Sequence, residues 1–335
     1  MNNSSKLTPD LSKVTFIEGV KNVEDIVHLD EQWVCGSNYS PAAAPGFLFI
    51  FDVLEKRAEL VDIKSIKINP DRKHYPDAPL PDLSALSTHG IDYYPEEKRL
   101  YVVNHGGRES IEVFDVVLDS GKPVLSWCGC VVAPENASLN AVVGLRDHQI
   151  MTTYIWDHDD KDLYEKIKNG TPMGKILLWS SGKGWKAIPG LEWVCAPNGL
   201  IATRDRRLAF SALWGSKKIL KIECPASGDD NIFTQIDLDF RPDNLRWAPD
   251  MNHFYATGQA APLEDIFACL GGGGITCKNI PTQVDVICAG TMKKETLIAP
   301  GVNEDLVCGT STIVVNGEYW VSSFKNDCIA VVGVK

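Results

Sequence analysis

Six times along the chain, a short run of β-branched and aromatic residues is answered by a second run shortly after it. "QWVCGS" (32–37) is followed by "GFLFIFDV" (46–53), and "RLYVVNH" (99–105) by "SIEVFDVV" (110–117). The doublet returns as "QIMTTYI" with "GKILLWSS", "RRLAFSALW" with "KKILKIE", "HFYATGQ" with "QVDVICAG", and "EYWVSSF" with "CIAVVGV". Gly, Pro, Asn and Asp separate the runs, the pattern of strands joined by turns. The doublets recur at roughly 45–65 residues, near the period of propeller repeats. Each can supply the middle strands of a four-stranded blade, with flanking runs completing the sheet. A doubly wound α/β fold would need crossover helices, and helical periodicity is poor. Its best stretch, "DHDDKDLYEKIKNG" (157–170), is short and stops at Asn-Gly. The expected fold is all-β: one six-bladed β-propeller over residues 1–335, with four-stranded blades around a central channel and residues 1–15 as a flexible N-terminal segment.

A second regularity runs in phase with the first. Shortly before each doublet a polar element interrupts an apolar strand: Glu24-Asp25, His89, Asn140, Asn198, Asp243-Asn244 and Ser311-Thr312. The innermost strand of each blade lines the channel, so polar elements in phase converge on the axis. Glu24, Asn140, Asn198, Asp243 and Asn244 are all hard oxygen donors. Two carboxylates and three amides suit Ca²⁺, which takes six to eight oxygen ligands. Zinc prefers His and Cys, which the set lacks. For a single Asn, turn or cap duty is the usual role; five in phase favour a metal site.

Composition narrows the partners. The formal net charge is -11 and no Lys/Arg-rich run occurs, which argues against nucleic acid. No apolar stretch reaches the roughly 18–20 residues of a membrane span. The start "MNNSSKLTPDLSKV" lacks the charged and apolar regions of a signal peptide, so a cytoplasmic location is expected. Ten cysteines are present, several inside strand-like runs where a free thiol acts as a small hydrophobe. Cys128-Gly129-Cys130 has no second Cys/His pair to match it and is read as buried free thiols. Cys269 and Cys277 flank "LGGGGIT" and are candidates to pair, with the glycine run as a lid or a plain connection. Trp156 and Tyr39 are expected to wall the pocket. The partner is expected to be a small molecule; nothing fixes the oligomeric state.

The motifs "VEDI" (23–26), "THGI" (88–91), "LYVVNH" (100–105), "SLNAVV" (138–143), "APNGL" (196–200), "RPDNLRWAPD" (241–250) and "STIVVNGEYWVSSF" (311–324) span nearly the whole chain. In them the chain resembles the paraoxonase/arylesterase family of calcium-dependent lactonases and esterases, within the gluconolactonase-like propellers. The resemblance implies that Glu24, Asn140, Asn198, Asp243 and Asn244 hold a catalytic calcium. It also implies that His89 and His105 form a histidine dyad beside it. A second, structural calcium is implied at Asp25 and the main-chain carbonyl of Ile91, but Ala141 stands where the family has a third ligand, an Asp. The function expected is hydrolysis of a lactone or aryl ester. Ca²⁺ would polarise the carbonyl, His89 would deprotonate water, and His105 would orient His89 or relay its proton. A carboxylate such as Glu24 or Asp243 is the alternative base. Two other functional classes keep the fold: a calcium-dependent isomerase or cyclase acting on a specialised metabolite, and a non-enzymatic calcium-binding propeller.

Overall fold

In the computed structural model all six doublets pair antiparallel, and each forms the middle of one sheet. The structure describes residues 7–40, 44–119, 121–225, 230–271 and 277–335. The innermost strands of blades 1 to 6 are Val23–His28, Thr88–Tyr94, Ala137–Gly144, Pro197–Ala202, Arg241–Trp247 and Gly309–Val315. Each is followed outward by the two strands of its doublet and a fourth strand, which in every blade but the second is a more exposed edge. Consecutive innermost strands touch one another around the ring, and blade 6 meets blade 1. Among the described residues blade 2 alone adds a fifth strand, Lys67–Ile68, parallel to Val124–Val132.

Blade 6 is completed from the other end of the chain. Pro9–Glu18 runs antiparallel to Cys328–Val334, with Ile17 opposite Ile329. This corrects the expectation of a flexible segment through residue 15. "SKVTFIE" carries β-branched and aromatic residues, and without it the last blade would present an unpaired edge. Ile17 is buried, packing beside Trp320 and Ile329 in the cluster between blades 6 and 1.

The doublets bury both faces between neighbouring blades, which is why they read as near-continuous apolar runs. Fully buried large side chains include Trp127, Phe114, Phe210, Phe254 and Trp320. Helix is scarce: among the described residues α-helix is confined to α1 (Leu163–Lys168) and α2 (Leu263–Leu270). α1 falls inside the stretch with the best helical signal. α2 is amphipathic, with Leu263, Ile266 and Cys269 buried. Neither helix is long and apolar enough to cross a membrane.

One local feature repeats in every blade and positions the site. On each innermost strand, two residues stand opposite a single residue of the next strand. In blade 1 the ladder passes from Val23↔Asn38 to Ile26↔Gly36, leaving Glu24 and Asp25 opposite Ser37. The same two-against-one bulge holds His89-Gly90, Asn140-Ala141, Asn198-Gly199, Asp243-Asn244 and Thr310-Ser311. A bulge frees a residue from the strict alternation of sides and re-aims it. The phase seen in the sequence is therefore a phase of bulges. In blade 6 the in-phase pair is Thr310-Ser311, one residue earlier than the Ser311-Thr312 expected.

Candidate active site

The bulges of blades 1 to 5 deliver Glu24, His89, Asn140, Asn198 and Asp243 to the floor of one cavity of about 730 Å³. Its walls are largely apolar and include Leu139, Ile155, Trp156, Trp214, Ile266 and Phe324. Tyr39 and Trp156 both line it, as expected; Trp214 does so as well. The glycine run expected to cover it lies, for 272–276, outside the described residues.

Close backbone approach shapes the floor. A Cβ on Gly90 would sit 2.2 Å from the carbonyl oxygen of Asn140, and one on Gly199 would sit 2.3 Å from that of Asp243. Only glycine lets the neighbouring inner strands come so near. The blade 6 bulge braces the floor from behind: Thr310 Oγ1 and Ser322 Oγ donate to the Glu24 carbonyl at 2.5 and 3.1 Å.

Three buried oxygens in this floor have no hydrogen-bond partner among the described residues: Glu24 Oε2, Asn140 Oδ1 and Asn198 Oδ1. Buried polar atoms are rarely left unpaired, so three together on three blades mark a place built for a ligand. The remaining atoms are held. Asn244 Nδ2 donates to Glu24 Oε1 at 2.5 Å, and Gln259 Nε2 donates to Asp243 Oδ2 at 2.6 Å. Trp214 Nε1 donates to Gln259 Oε1 at 2.9 Å and so fixes which way that amide points. Burial, then the nearby Asp243 and Asp25 carboxylates, push Glu24 well above the usual carboxylate range. Asp243 is pushed up to about 7, mainly by burial. Both shifts express negative charge crowded into a dry floor. The unpaired oxygens, their hardness and the crowded charge together fit a calcium ion. Glu24, Asn140, Asn198 and Asp243 would hold it directly, with Asn244 alongside on Glu24.

The two histidines meet. His89 Nδ1 and His105 Nε2 are 2.8 Å apart, and the rings cross at 60°. Tyr39 stacks on the other side of His89 at 4.3 Å. A third member, missed in the sequence, extends the chain: His105 Nδ1 lies 2.8 Å from Glu109 Oε2. Glu109 Oε1 is fixed in turn by the backbone N–H of Leu139 at 2.6 Å. The contacts fix the protons. The carboxylate accepts from His105 Nδ1–H, so His105 Nε2 accepts from His89 Nδ1–H, and His89 Nε2 keeps its lone pair. That nitrogen faces the floor, 3.5 Å from Asn140 Nδ2 and 3.6 Å from Glu24 Oε2. Burial, then His105, hold the His89 pKa well below the ordinary histidine value, so the ring is neutral.

The loop carrying His105 and Glu109 is pinned by Asn104. Its Oδ1 accepts from the N–H groups of Ser87 and Gly106 at 2.9 and 3.0 Å, and its Nδ2 donates to the carbonyls of Gly106 and Arg108. Arg108 then reaches the buried Glu112 at 2.8 Å, and Glu112 accepts from Trp127 Nε1 at 2.7 Å. Asn104 and the two glycines after it are the sequence signal of this structure. Glu109 gave none, because its role depends on a four-residue return that spacing alone does not show.

Asp25 and the Ile91 carbonyl, the pair expected at a second calcium, both face Arg246. Arg246 Nη2 donates to Asp25 Oδ2 and to the Ile91 carbonyl, the latter at 2.7 Å, and Arg246 Nε donates to the Ile26 carbonyl at 3.0 Å. Ala141 offers a methyl group where the resemblance leads one to expect a carboxylate. The two donors named for a second calcium hold a cation of the chain's own in this structure. Elsewhere, Cys269 and Cys277 form a disulfide, and Cys128 and Cys130 are buried free thiols, both as anticipated.

No family profile matches the chain, and no curated protein matches it in sequence. Its likeness to solved structures is in shape. A provisionally assigned gluconolactonase superposes with a TM-score of 0.58 at 11% identity, covering 98% of this chain and 94% of that one. A luciferin-regenerating enzyme gives 0.55 at 12% identity over 96% and 95% of the two chains. The PQQ-bound aldose sugar dehydrogenase of Streptomyces coelicolor gives 0.55 at 12% identity over 98% and 100%. At such identities the likeness establishes the fold: the chain is a six-bladed β-propeller.

Proposed function

We propose that the protein is a calcium-dependent hydrolase of lactones or aryl esters, of the paraoxonase/arylesterase kind. One coincidence carries the reading: the three unpartnered oxygens and the free nitrogen of the Glu109–His105–His89 chain share one cavity floor. The gluconolactonase name borne by one fold neighbour is consistent with it at the level of architecture.

Calcium, when bound at Glu24, Asn140, Asn198 and Asp243, supplies Lewis-acid polarisation of the substrate carbonyl and a counter-charge for the developing oxyanion. The chain's own residues do the rest. His89 Nε2 takes a proton from the attacking water, and its Nδ1 proton passes across 2.8 Å to His105 Nε2. Glu109 orients His105 and stabilises the imidazolium that results. Tyr39, Trp156 and the apolar walls exclude water and hold the acyl or aryl part of a small substrate.

The test is acid release from a panel of γ- and δ-lactones and phenyl esters, with chelated and calcium-reloaded protein. Activity is expected to vanish on chelation, return with calcium, and be lost in Glu24→Gln. Turnover that survives complete chelation refutes the calcium role. Calcium-dependent conversion of a substrate with no acid released would move the activity to isomerisation or cyclisation.

A further inference from the structure

Beneath the cavity floor, the channel contains a second meeting point of blades, and its chemistry is complete as it stands. Asp25 from the blade 1 bulge has a side chain only 2% exposed. Its Oδ1 accepts from the Ile26 N–H at 2.9 Å and its Oδ2 from the Ile91 N–H at 3.0 Å. Arg246, on the inner strand of blade 5, reaches the same Oδ2 and the carbonyls of Ile26 and Ile91. One guanidinium therefore ties together blades 1, 2 and 5 across the axis. Its planar fork offers several donors in fixed directions and keeps its charge at any ordinary pH, which suits a point that must bind oxygens from several strands.

We infer that Arg246 is a built-in cation that does the work of a structural metal in this channel, so that ring closure here needs no second ion. Charge balance supports the assignment. Two carboxylates around a divalent ion are neutral, and so is one carboxylate around a guanidinium. Both features occur together here: Ala141 supplies no second carboxylate, and Arg246 Nη2 meets Asp25 Oδ2 and the Ile91 carbonyl. Ala141 is buried, and its N–H is taken by Thr153 Oγ1 at 2.9 Å, so its methyl group adds no unmet polar atom. A metal lodged at this point would have to displace the guanidinium from a buried carboxylate. Any calcium this protein binds is then a ligand of the cavity floor, removable without unfolding the ring.

The inference rests on the proposed calcium reading only for the comparison site, and the test separates the two. Calcium uptake is measured by isothermal titration, and melting temperature is followed in chelator and in calcium, for four full-length proteins. Wild type should take up no more than one calcium. Glu24→Gln should take up none and melt at the same temperature with and without calcium. Arg246→Ala on the Glu24→Gln background should melt markedly lower in chelator. Adding Ala141→Asp to that protein should restore melting temperature in a calcium-dependent way, with uptake of one ion. Two calciums in wild type, or one in Glu24→Gln, overturns the inference, and so does an Arg246→Ala melting temperature equal to its parent. If the rebuilt variant is insoluble, the wild-type and Glu24→Gln counts decide. A wild type that binds no calcium refutes the proposed function and leaves the role of Arg246 standing.

Discussion

Replacing Glu109 by glutamine should cost far more activity than its modest chemical change implies, and more than replacing it by alanine. The wild-type protons run one way. Glu109 accepts from His105 Nδ1, His105 Nε2 accepts from His89 Nδ1, and His89 Nε2 is left with the lone pair that faces the floor. Glutamine meets a constraint on its other atom: the Leu139 N–H, 2.6 Å from Oε1, needs an acceptor there. The amide oxygen must stay at Leu139, which turns the NH₂ toward His105 Nδ1. That nitrogen must then accept, His105 carries its proton on Nε2, and His89 carries its proton on Nε2. The base now presents a proton where it needs a lone pair.

Loss of a positioned general base costs about 10²–10⁴-fold in rate. At 1.36 kcal/mol per tenfold, that is about 2.7–5.4 kcal/mol of transition-state stabilisation. Alanine removes the carboxylate but forces neither tautomer, so its loss should sit at or below the lower end. The assay is kcat for hydrolysis of the best lactone at saturating calcium, with melting temperature as control. The Glu109 side chain is 23% exposed, and neither variant should unfold the ring. Glutamine within about threefold of wild type, less than ~0.7 kcal/mol, would refute the relay. So would alanine proving worse than glutamine.

Calcium should stabilise the protein more at pH 8 than at pH 5. Asp243 is raised to about 7 and Glu24 is raised well above its ordinary value, so without the ion each favours the fold below its unfolded pKa near 4 and loses that contribution as pH rises through the folded value. Melting curves with chelator and with calcium at the two pH values check the sign, and an equal calcium shift at both would contradict it. Gly90→Ala should cost about 1–3 kcal/mol by overpacking, because the new Cβ meets the Asn140 carbonyl oxygen at 2.2 Å. Since Asn140 is one of the proposed calcium donors, calcium affinity measured by titration should fall with stability; unaltered affinity would show that the bulges move independently. Reducing Cys269–Cys277, which are 8 residues apart, should cost about 2–3 kcal/mol by loop entropy. A denaturant titration with and without reductant measures that difference.

The blades were legible because most doublet strands are buried on both faces, and that burial writes itself as apolar runs such as "LYVV" and "LFIF". The closing strand was harder to read. Pro9–Glu18 is mostly half-exposed, as an outer edge must be, so its residues lack the apolar continuity of the inner strands. The same holds for edge strands such as Arg57–Leu60 and Ile232–Asp237. The polar set of the cavity floor was legible because glutamate, aspartate and asparagine in an apolar strand break its pattern. Gln259 and Glu109 broke nothing. Gln259 ends a strand and Glu109 lies in a loop, positions where polar residues are ordinary.

Arg246 shows where an in-phase reading stops. It lies two residues beyond the bulge pair Asp243-Asn244, back in ladder register opposite Tyr255. A search for polar residues at bulge positions therefore passes it by. Its side chain returns to the axis because a long, flexible stem can recover from the strand what a short carboxylate needs a bulge to reach. The two kinds of polar residue then divide the channel. Glu24, Asn140 and Asn198 on their bulges leave oxygens without partners, and those oxygens ask for an ion from outside. A long cation in regular register meets its own oxygens and asks for nothing. Oxygens left without partners, as on Glu24, Asn140 and Asn198, mark a site for a ligand, whereas the oxygens that Arg246 meets belong to the scaffold.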